Sequence, residues 1–342
     1  RIVEGYHLTS YISERAVMPD NKSPRLLSLV YGYIPDDPRV IIQSRSAVEF
    51  GYQTDAIGIA IYNGRSGRQT IDGVSIKTVP VVNQLRLIPQ NLWYLIRAQI
   101  PEQGAAPSTS PKSNLLSLLF YYLWIVRLTL FKKYALIHAH EQQSIPLGWL
   151  LSKLNRCKWI YDAHEHVPDN RKVFGTTKAN FAIRSEAFFM PRADAVITVG
   201  QRLASDLEER GAKQVTIIGN WKDLKKYEVN ETELAQKRTA YHLDKYDLVI
   251  SYFGMLNEER NINILLETIE KTPSVALLIA GRGEFHNKAI ELAEKYKHII
   301  WLGWLAYEQV PLYTCLSDVI FMCFKNLGGN IKYATPNKLF DA

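Results

Sequence analysis

The chain has 342 residues, of which 47% are hydrophobic and 22% charged, and its formal net charge is +7. This composition is that of a globular protein with large cores, which excludes a disordered chain, and the length indicates about two domains. The basic residues are scattered rather than collected in a tail. The charge therefore favours an anionic partner without choosing among nucleic acid, anionic lipid and nucleotide phosphate.

The ends of the chain suggest a fragment. The segment Arg1–Ser23 is polar and mixed in charge, unlike a signal peptide. The chain stops at Ala342 inside a predicted helix, so we expect an incomplete C-terminal domain. The cysteines lie in apolar segments without metal-type spacing, which predicts buried thiols in a reducing compartment for Cys157, Cys315 and Cys323.

Two buried apolar runs, Leu26–Gly32 and Leu248–Gly254, each break at glycine into a loop and a helix. Such a unit places backbone N–H groups and a helix N-terminus where an anion can bind. Further strands alternate with helices in both halves, as in parallel α/β sheets. In the second half the predicted elements are strands Leu248–Phe253, Val275–Ala280, Ile299–Leu302 and Asp318–Phe324, and helix Ile262–Glu270.

The pattern predicts two Rossmann-like domains that face each other across a cleft. We expect an N-terminal extension (1–24), a first domain (25–221), a charged connection (222–246) and a second domain (247–342).

The longest apolar stretch is Leu115–Phe131. It falls short of the roughly 20 residues that span a bilayer. It is either a helix buried against a parallel sheet or an interfacial membrane helix flanked by Arg127, Lys132 and Lys133.

In the first half, two strand ends carry candidate functional residues. The loop Tyr31–Arg39 contains Gly32 and Pro35, and Asp36 or Asp37 can cap the following helix. It is either a structural turn or a ligand loop at the carboxyl edge of the sheet. At a second strand end, His164 is framed by Asp162 and Glu165, which favours a role in orienting a sugar hydroxyl or a phosphate.

Histidines also alternate along two predicted strands. His138 and His140, or His164 and His166, lie on one face of the chain and could chelate a metal with Glu141 or Asp162. No established zinc spacing is completed. A metal site is therefore the weaker interpretation of these histidines.

The second half places glycines at successive strand ends. Gly254 hinges a loop that leads to Arg260 at a helix start, where an arginine can clamp a diphosphate. Gly281, Gly283 and Gly303 permit close backbone approach at the next strand ends. Farther on, Lys338 and Asp341 lie three residues apart on one face of a predicted helix.

Taken in order, these motifs resemble the donor-binding half of the large retaining group of GT-B glycosyltransferases, the group 1 or family 4-like family. The motifs are Gly254 to Arg260, Ala280–Gly283, Trp301–Gly303, Leu316–Asp318 and Pro336–Asp341. In the first half, Leu29–Arg39, Tyr161–Glu165 and Ile218–Asn220 agree with the same family. The resemblance covers roughly Arg25 to the C-terminus.

The resemblance implies a retaining transfer from a nucleoside-diphosphate sugar to a glycan or a lipid-linked acceptor, in synthesis of a surface polysaccharide or glycoconjugate. Arg260 and Lys338 would hold the diphosphate and Asp341 the ribose. His164 would contact the donor sugar, and the loop at Gly32 and Pro35 would shape the acceptor side. The resemblance also implies no metal and no cofactor besides the nucleotide sugar as co-substrate, since cationic side chains and a helix dipole stabilise the leaving diphosphate. Nucleic acid is not an expected partner.

Two positions depart from the family pattern. Tyr333 stands where the first acidic residue of a Glu-x(7)-Glu pattern is expected, and Met255 stands where many members carry a second basic residue. The resemblance further implies a cytoplasmic protein, either soluble or in peripheral contact with the inner face of the membrane. A nucleotide-sugar 2-epimerase and a non-catalytic nucleotide-sugar binding subunit are the alternative functions.

Overall fold

The computed structural model describes residues 23–60, 67–80, 115–170, 176–221, 228–325, 332–333 and 335–340. Contacts divide the chain into two compact units. The first unit runs to Thr216, except that Pro168–Lys172 and Val199–Ala204 group with the second unit, Ile217–Ala342. The predicted domain boundaries stay a prediction, and residues 1–22 of the expected extension lie outside the described residues.

The first unit is built on an eight-stranded sheet with the strand order β3-β4-β2-β1-β5-β6-β7-β8. Its strands are β1 (Arg25–Val30), β2 (Gln53–Ile59), β3 (Gly67–Ile71), β4 (Val74–Val79), β5 (Leu136–His140), β6 (Lys158–Ala163), β7 (Ala195–Thr198) and β8 (Val215–Ile217). The strands from β4 through β7 in this order pair in parallel, whereas β3 is antiparallel to β4. Parallel pairing follows from apolar strands such as β1, whose residues Leu26–Val30 are all buried.

The described residues of this half of the chain form five α-helices: α1 (Pro38–Glu49), α2 (Leu115–Thr129), α3 (Glu141–Asn155), α4 (Thr176–Phe189) and α5 (Gln201–Glu209). The predicted cap of α1 is confirmed, because Asp37 Oδ1 accepts a hydrogen bond of 3.1 Å from the Arg39 N–H. Pro38 occupies the first turn, where its missing N–H does no harm.

Helix α2 is apolar on two sides but covered on only one. Tyr121 and Ile125 are fully buried, whereas Leu119 and Leu123 are 51% and 58% exposed. One of the two sequence-based alternatives required a fully buried helix, and the exposure of Leu119 and Leu123 contradicts that requirement. None of the helices in the described ranges is both long and apolar enough to cross a membrane.

The second unit has a four-stranded parallel sheet with the order β11-β10-β9-β12. Its elements are α6 (Glu231–Ala240), β9 (Leu248–Met255), α7 (Ile262–Glu270), β10 (Val275–Arg282), α8 (His286–Lys295), β11 (Ile299–Trp301), α9 (Val310–Cys315) and β12 (Val319–Ile320). Helix α7 has the predicted bounds, and its buried residues Ile262, Leu265, Leu266 and Ile269 pack on the sheet core.

Two sequence-based expectations are wrong here. The predicted strand Asp318–Phe324 is reduced to β12, an edge strand that pairs only with Ile250 and Ser251 before the chain leaves the sheet. The cysteines are not buried as a set, since Cys157 is half-buried and Cys315 and Cys323 are exposed. Cys315 ends α9, whose neighbouring side chains face the core, and Cys323 follows the end of β12.

A buried carboxylate ties the first sheet to the segment after α2. Asp55 lies on β2, and its Oδ2 accepts hydrogen bonds from Lys132 Nζ at 2.7 Å and from the Tyr134 hydroxyl at 3.0 Å. Lys77 Nζ lies 3.5 Å from the other carboxylate oxygen. Burial by itself raises the pKa of Asp55, but the hydrogen bond and charge of Lys132 outweigh it, so the pKa is lowered.

The Asp55→Ala substitution should lower the free energy of unfolding by about 3 kcal/mol, because it leaves buried cations unpaired. The loss should be largest above the usual carboxyl range and should shrink as the pH falls through the lowered pKa of Asp55. Urea unfolding at pH 7 and pH 3 measures both effects. Glu49→Ala, which removes a 66% exposed partner of Arg45, is the matched control and should change stability by less than about 0.5 kcal/mol. Equal losses in the two variants would contradict this account.

Candidate functional site

Three parallel strands of the first unit end side by side. The register pairs Val30 with His140 and His140 with Asp162, so β1, β5 and β6 finish at one edge of the sheet. The loop with Gly32 and Pro35 follows β1, and His164 follows β6 by one residue. The sequence-predicted residues of this half thus lie at the carboxyl edge, where open α/β sheets bind ligands.

A buried carboxylate lies among three imidazoles at this edge. Asp162 Oδ1 lies 3.2 Å from His164 Nε2. Its Oδ2 lies 3.1 Å from His140 Nδ1 and 3.4 Å from His138 Nε2. His140 Nε2 also shares a hydrogen bond of 2.9 Å with the Ser28 hydroxyl, which fixes that ring. The contacts to Asp162 are at ion-pair distance but not in hydrogen-bond geometry.

The charges of this cluster are unequal. Burial alone lowers the pKa of His164, but the charge of Asp162 outweighs it and the pKa is raised. Burial and the neighbouring His138 lower the pKa of His140 to about 4. Burial would raise the pKa of Asp162, yet His164 and the other rings hold it well below its usual range. The raised pKa favours the protonated form of His164, and the lowered pKa disfavours the protonated form of His140.

Glu141 is a second titratable group at this edge. The sequence indicated it only as a possible metal ligand. It is the first residue of α3 and follows β5 directly, with a left-handed φ of 60°. A non-glycine residue in this region is strained, and such strain is concentrated at functional sites. Burial raises the pKa of Glu141 to about 7, against the opposing charge of Arg39.

The loop after β1 supplies the counter-charges. Arg39 and Asp37 form a two-point ion pair, with Nε to Oδ1 at 3.1 Å and Nη2 to Oδ2 at 3.0 Å. The charge of Arg39 acts on both Glu141 and His164. Pro35 lies in the 3-10 turn Ile34–Asp36, which the fully buried Ile34 anchors.

Gly32 fixes the start of this loop. Its carbonyl oxygen accepts a hydrogen bond of 2.9 Å from the Ile59 N–H at the end of β2. The loop and the histidine cluster thus form one group of alternating charges within the first unit. From the sequence, Asp37 was recognisable only as a helix cap. The action of Arg39 on Glu141 and His164 could not be predicted, because it depends on which strand ends lie side by side.

Three of these side chains are close enough to hold a metal ion. One ligand atom each from His138, His140 and Asp162 lies within 4.8 Å of the others. The prediction that the His138 and His140 rings share a face is confirmed by their 4.1 Å centroid separation. His166 is paired elsewhere, with Asp206 at 3.3 Å. The expectation that no metal is needed stays a prediction.

In the second unit, three glycines meet where β9, β10 and β11 end. Gly281 pairs with Gly254 in register, and its N–H donates a 3.0 Å hydrogen bond to the Gly303 carbonyl. A Cβ atom on Gly281 would lie 1.8 Å from the Gly254 oxygen, and one on Gly283 would lie 2.3 Å from the Leu256 oxygen. Both positions also have φ angles of 141° and 150°. Only glycine permits this backbone approach.

One cation, Lys338, lies over Tyr252 beside these glycines, and a second, Arg260, is within electrostatic range of the Tyr252 hydroxyl. Lys338 Nζ lies 4.4 Å from the centre of the Tyr252 ring and 2.8 Å from the position of a Cβ on Gly254. Arg260 lies over the Phe324 ring at 4.2 Å and acts electrostatically on the Tyr252 hydroxyl. Lys338 thus lies at the strand end beside Gly254, and Arg260 lies within electrostatic range of the same tyrosine. Burial raises the pKa of Tyr252 to about 12, and its hydroxyl donates to the Met255 carbonyl at 2.6 Å.

The turn that carries Lys338 is held by packing. Asn337–Phe340 form a 3-10 helix rather than the predicted α-helical start, and Phe340 packs edge-on against Trp221 at 5.0 Å. Asp341 lies outside the described residues. Tyr333 stacks near the Arg202 guanidinium at 5.7 Å, and Met255 is exposed.

A family model matches the chain over more than half its length. Residues 44–221 match the family described as "Glycosyl transferase 4-like domain". No curated protein matches the chain.

Solved structures resemble the chain at low sequence identity. Sucrose-phosphate synthase from Thermosynechococcus elongatus has 16% identity and a TM-score of 0.62, covering 86% of this chain and 74% of its own. HepE from Anabaena, in complex with UDP and glucose, has 17% identity, a TM-score of 0.54 and coverage of 87% and 73%. An E. coli structure described as trehalose-6-phosphate bound with UDP-2-fluoro glucose has 12% identity, a TM-score of 0.56 and coverage of 90% and 79%. The predicted GT-B fold class is confirmed.

Gly281→Ala should destabilise the second unit by about 2 kcal/mol or more, because its Cβ has no room beside the Gly254 oxygen. Gly303→Ala is the matched control, since Gly303 also has a positive φ of 72° but nothing lies within 4 Å of its added Cβ. We expect about 1 kcal/mol for the control. Calorimetric unfolding compares the two, and a smaller loss for Gly281→Ala would contradict the close approach.

Glu141→Gln should stabilise the protein at pH 8 relative to wild type, on the order of 1–3 kcal/mol. The pKa of Glu141 is higher in the folded protein than in the unfolded chain, so the contribution of this carboxyl to stability is fully present below pH 4.5. That contribution is lost as the pH rises from 4.5 to about 7. Urea unfolding of both proteins at pH 4.5 and pH 8 gives the difference, and Glu49→Gln, at an exposed site, should show none. A difference that does not change with pH would contradict the raised pKa.

Proposed function

The chain belongs to the glycosyltransferase 4-like family, and from this premise we propose that it transfers a sugar from a nucleoside-diphosphate sugar to a glycan or a lipid-linked acceptor. The observation that carries the proposal is the pair of cations, Lys338 and Arg260, around Tyr252 at the glycine-lined strand end. The complexes of HepE with UDP and glucose support a nucleotide sugar as donor.

The second unit is the proposed donor site. In the part of the chain that the structure describes, no carboxylate lies within ion-pair distance of Arg260. A diphosphate between Arg260 and Lys338 would also meet the N-terminus of α7, which begins two residues after Arg260. Such fixed charges stabilise the leaving diphosphate without reorganisation. Asp341 is proposed to bind the ribose.

The first unit is the proposed acceptor side. His164, whose pKa the charge of Asp162 raises, is proposed to contact the donor sugar near the reacting carbon. Gly32 and Pro35 shape the loop that presents Asp37 and Arg39. Glu141, with a pKa of about 7, is suited to accept a hydrogen bond or a proton from an acceptor hydroxyl. Sugar hydroxyls are bound well by such paired donors and acceptors.

We further propose that transfer proceeds with retention, in synthesis of a surface polysaccharide or glycoconjugate in the cytoplasm. The motif order shared with the retaining group supports retention. Front-face substitution and double displacement both agree with the residues present. No metal is required in the proposed mechanism, because cationic side chains and a helix N-terminus offset the diphosphate charge.

Donor binding tests the site. In calorimetric titrations with a panel of nucleoside-diphosphate sugars that begins with UDP-glucose, one donor should bind. Arg260→Ala and Lys338→Ala should each weaken that binding roughly 10- to 100-fold, because each removes a charge-assisted hydrogen bond. Lys271→Ala, at an exposed lysine of the same unit, should leave it unchanged. If no donor binds, or if Arg260→Ala and Lys271→Ala behave alike, the proposal fails.

Release of the diphosphate, measured in the presence of acceptors and of EDTA, tests the reaction. His164→Ala should keep donor binding and lose at least about 100-fold in turnover. Turnover of the wild type should survive EDTA. A product formed from the nucleotide sugar alone would favour the 2-epimerase, and donor binding without turnover would favour a binding subunit.

A further inference from the structure

The carboxyl edge of the first sheet holds more buried polar atoms than the hydrogen bonds of the described residues satisfy. Both carboxylate oxygens of Asp162, the Nε2 atom of His138 and the Nδ1 atom of His140 are buried and make no hydrogen bond to those residues. His138 is only 7% exposed, His140 1% and Asp162 0%. Because buried polar atoms are almost always hydrogen-bonded, such a group of atoms points to an ion or a water held between them.

The separations of these atoms are those of ligands around one metal ion. Asp162 Oδ2 lies 3.1 Å from His140 Nδ1 and 3.4 Å from His138 Nε2. A tetrahedral zinc ion binds imidazole nitrogens and carboxylate oxygens at about 2.0–2.2 Å, which places two of its ligands about 3.3 Å apart. One atom from each of the three residues also lies within 4.8 Å of the other two. The three atoms can therefore share one ion.

The other nitrogen of His140 already has a partner. His140 Nε2 shares a hydrogen bond of 2.9 Å with the hydroxyl of Ser28, a residue that is 1% exposed on the neighbouring strand β1. If the Nε2–H group donates to Ser28, Nδ1 turns a lone pair towards the Asp162 carboxylate, and a cation between them removes their repulsion. A histidine that binds a metal usually donates its other N–H to such a neighbour.

The strands hold the three side chains in place. His138 and His140 are two residues apart on β5, so that both rings lie on one face of the sheet with their centroids 4.1 Å apart. Asp162 lies opposite His140 in the register of β5 and β6. Both strands are interior strands of the eight-stranded sheet. The fold therefore preorganises these side chains, as a metal site requires.

We propose that His138 Nε2, His140 Nδ1 and Asp162 Oδ2 bind a divalent transition-metal ion, with zinc as the expected occupant. Imidazole ligands favour zinc over magnesium and calcium, which prefer oxygen ligands. The other oxygen of Asp162 remains beside His164, whose Nε2 atom lies 3.2 Å from it. The ion joins the ends of β5 and β6 and holds the carboxylate in position beside His164.

The inference goes beyond the proposed function. The family resemblance implies transfer without a metal, and this ion has no step in the proposed transfer and no contact with the proposed diphosphate site. Its ligands are at least nine-tenths buried, so EDTA present during a turnover assay should not remove it within the assay. Metal binding can therefore fail while sugar transfer succeeds, and the reverse.

Metal analysis of the whole chain, produced without a metal-binding affinity tag, tests the inference. Plasma mass spectrometry of the wild type should find about one transition-metal ion per chain. His138→Gln should lower this content at least about tenfold, because the ion loses a ligand. His166→Gln is the matched control, since His166 is also buried in this unit but pairs with Asp206 at 3.3 Å, and it should keep the metal.

Zinc affinity gives a second measurement, which does not depend on the folding of His138→Gln. In competition with a chromophoric chelator, Ser28→Ala should bind zinc roughly 10- to 100-fold more weakly, because His140 loses the partner that orients its ring. Ser251→Ala is the matched control: Ser251 is a fully buried serine on β9 of the second unit, and its hydroxyl pairs with that of Ser317 at 2.8 Å. Circular dichroism confirms that both serine variants are folded.

Three results would overturn the inference. The wild type could contain no transition metal and bind no added zinc at micromolar concentration. His138→Gln could keep as much metal as His166→Gln, which would show that the metal is bound elsewhere. Ser28→Ala could bind zinc as tightly as Ser251→Ala, which would remove His140 and its partner from the site.

Discussion

Parallel pairing decides where chemistry can occur in this chain. Neighbouring strands that run in the same direction end at one edge of a sheet, so residues far apart in sequence become neighbours there. In the first unit this constraint brings Ser28, His140 and Asp162 together from three strands. In the second it brings Gly254 against Gly281, at a distance that only glycine permits. The side chains and backbone groups that meet at each sheet edge then determine which ligand that edge can bind.

The two edges have different electrostatics. The first holds an anion, Asp162, among imidazoles, and a strained carboxyl, Glu141, whose pKa burial raises to about 7. Glu141 can exchange a proton near neutrality, and together these groups are suited to sugar hydroxyls. The second holds Lys338 and Arg260 around an aromatic ring, and it is suited to a fixed negative charge.

Much of the fold could be predicted from the sequence, and the reasons for the failures are physical. Helix α7 is predicted with its bounds because its apolar spacing is unambiguous. The glycines and Arg260 of the second unit are found because they follow strands, whereas Lys338 is found from the Pro336–Asp341 motif. The strand Asp318–Phe324 was overextended because apolar content does not reveal where an edge strand leaves its sheet. Two further features could not be predicted, namely the exposure of Cys315 and the electrostatic effect of Arg39 on Glu141. Both depend on residues that are close in the fold but distant in the sequence. Glu141 could have been recognised from the sequence, because it joins a strand directly to a helix with no loop between them.

The central claim is that the strand end beside Gly254 binds the diphosphate of a nucleotide sugar. Photolabelling with an azido derivative of UDP-glucose, followed by mass spectrometry of the labelled peptides, tests it most directly. The account predicts that the label falls in the second unit, on peptides that contain Gly254 to Arg260 or Lys338, that unlabelled donor competes it away, and that Arg260→Ala weakens it roughly 10- to 100-fold at a donor concentration below the dissociation constant. Label confined to the first unit, or label that is undiminished in Arg260→Ala, would contradict the claim.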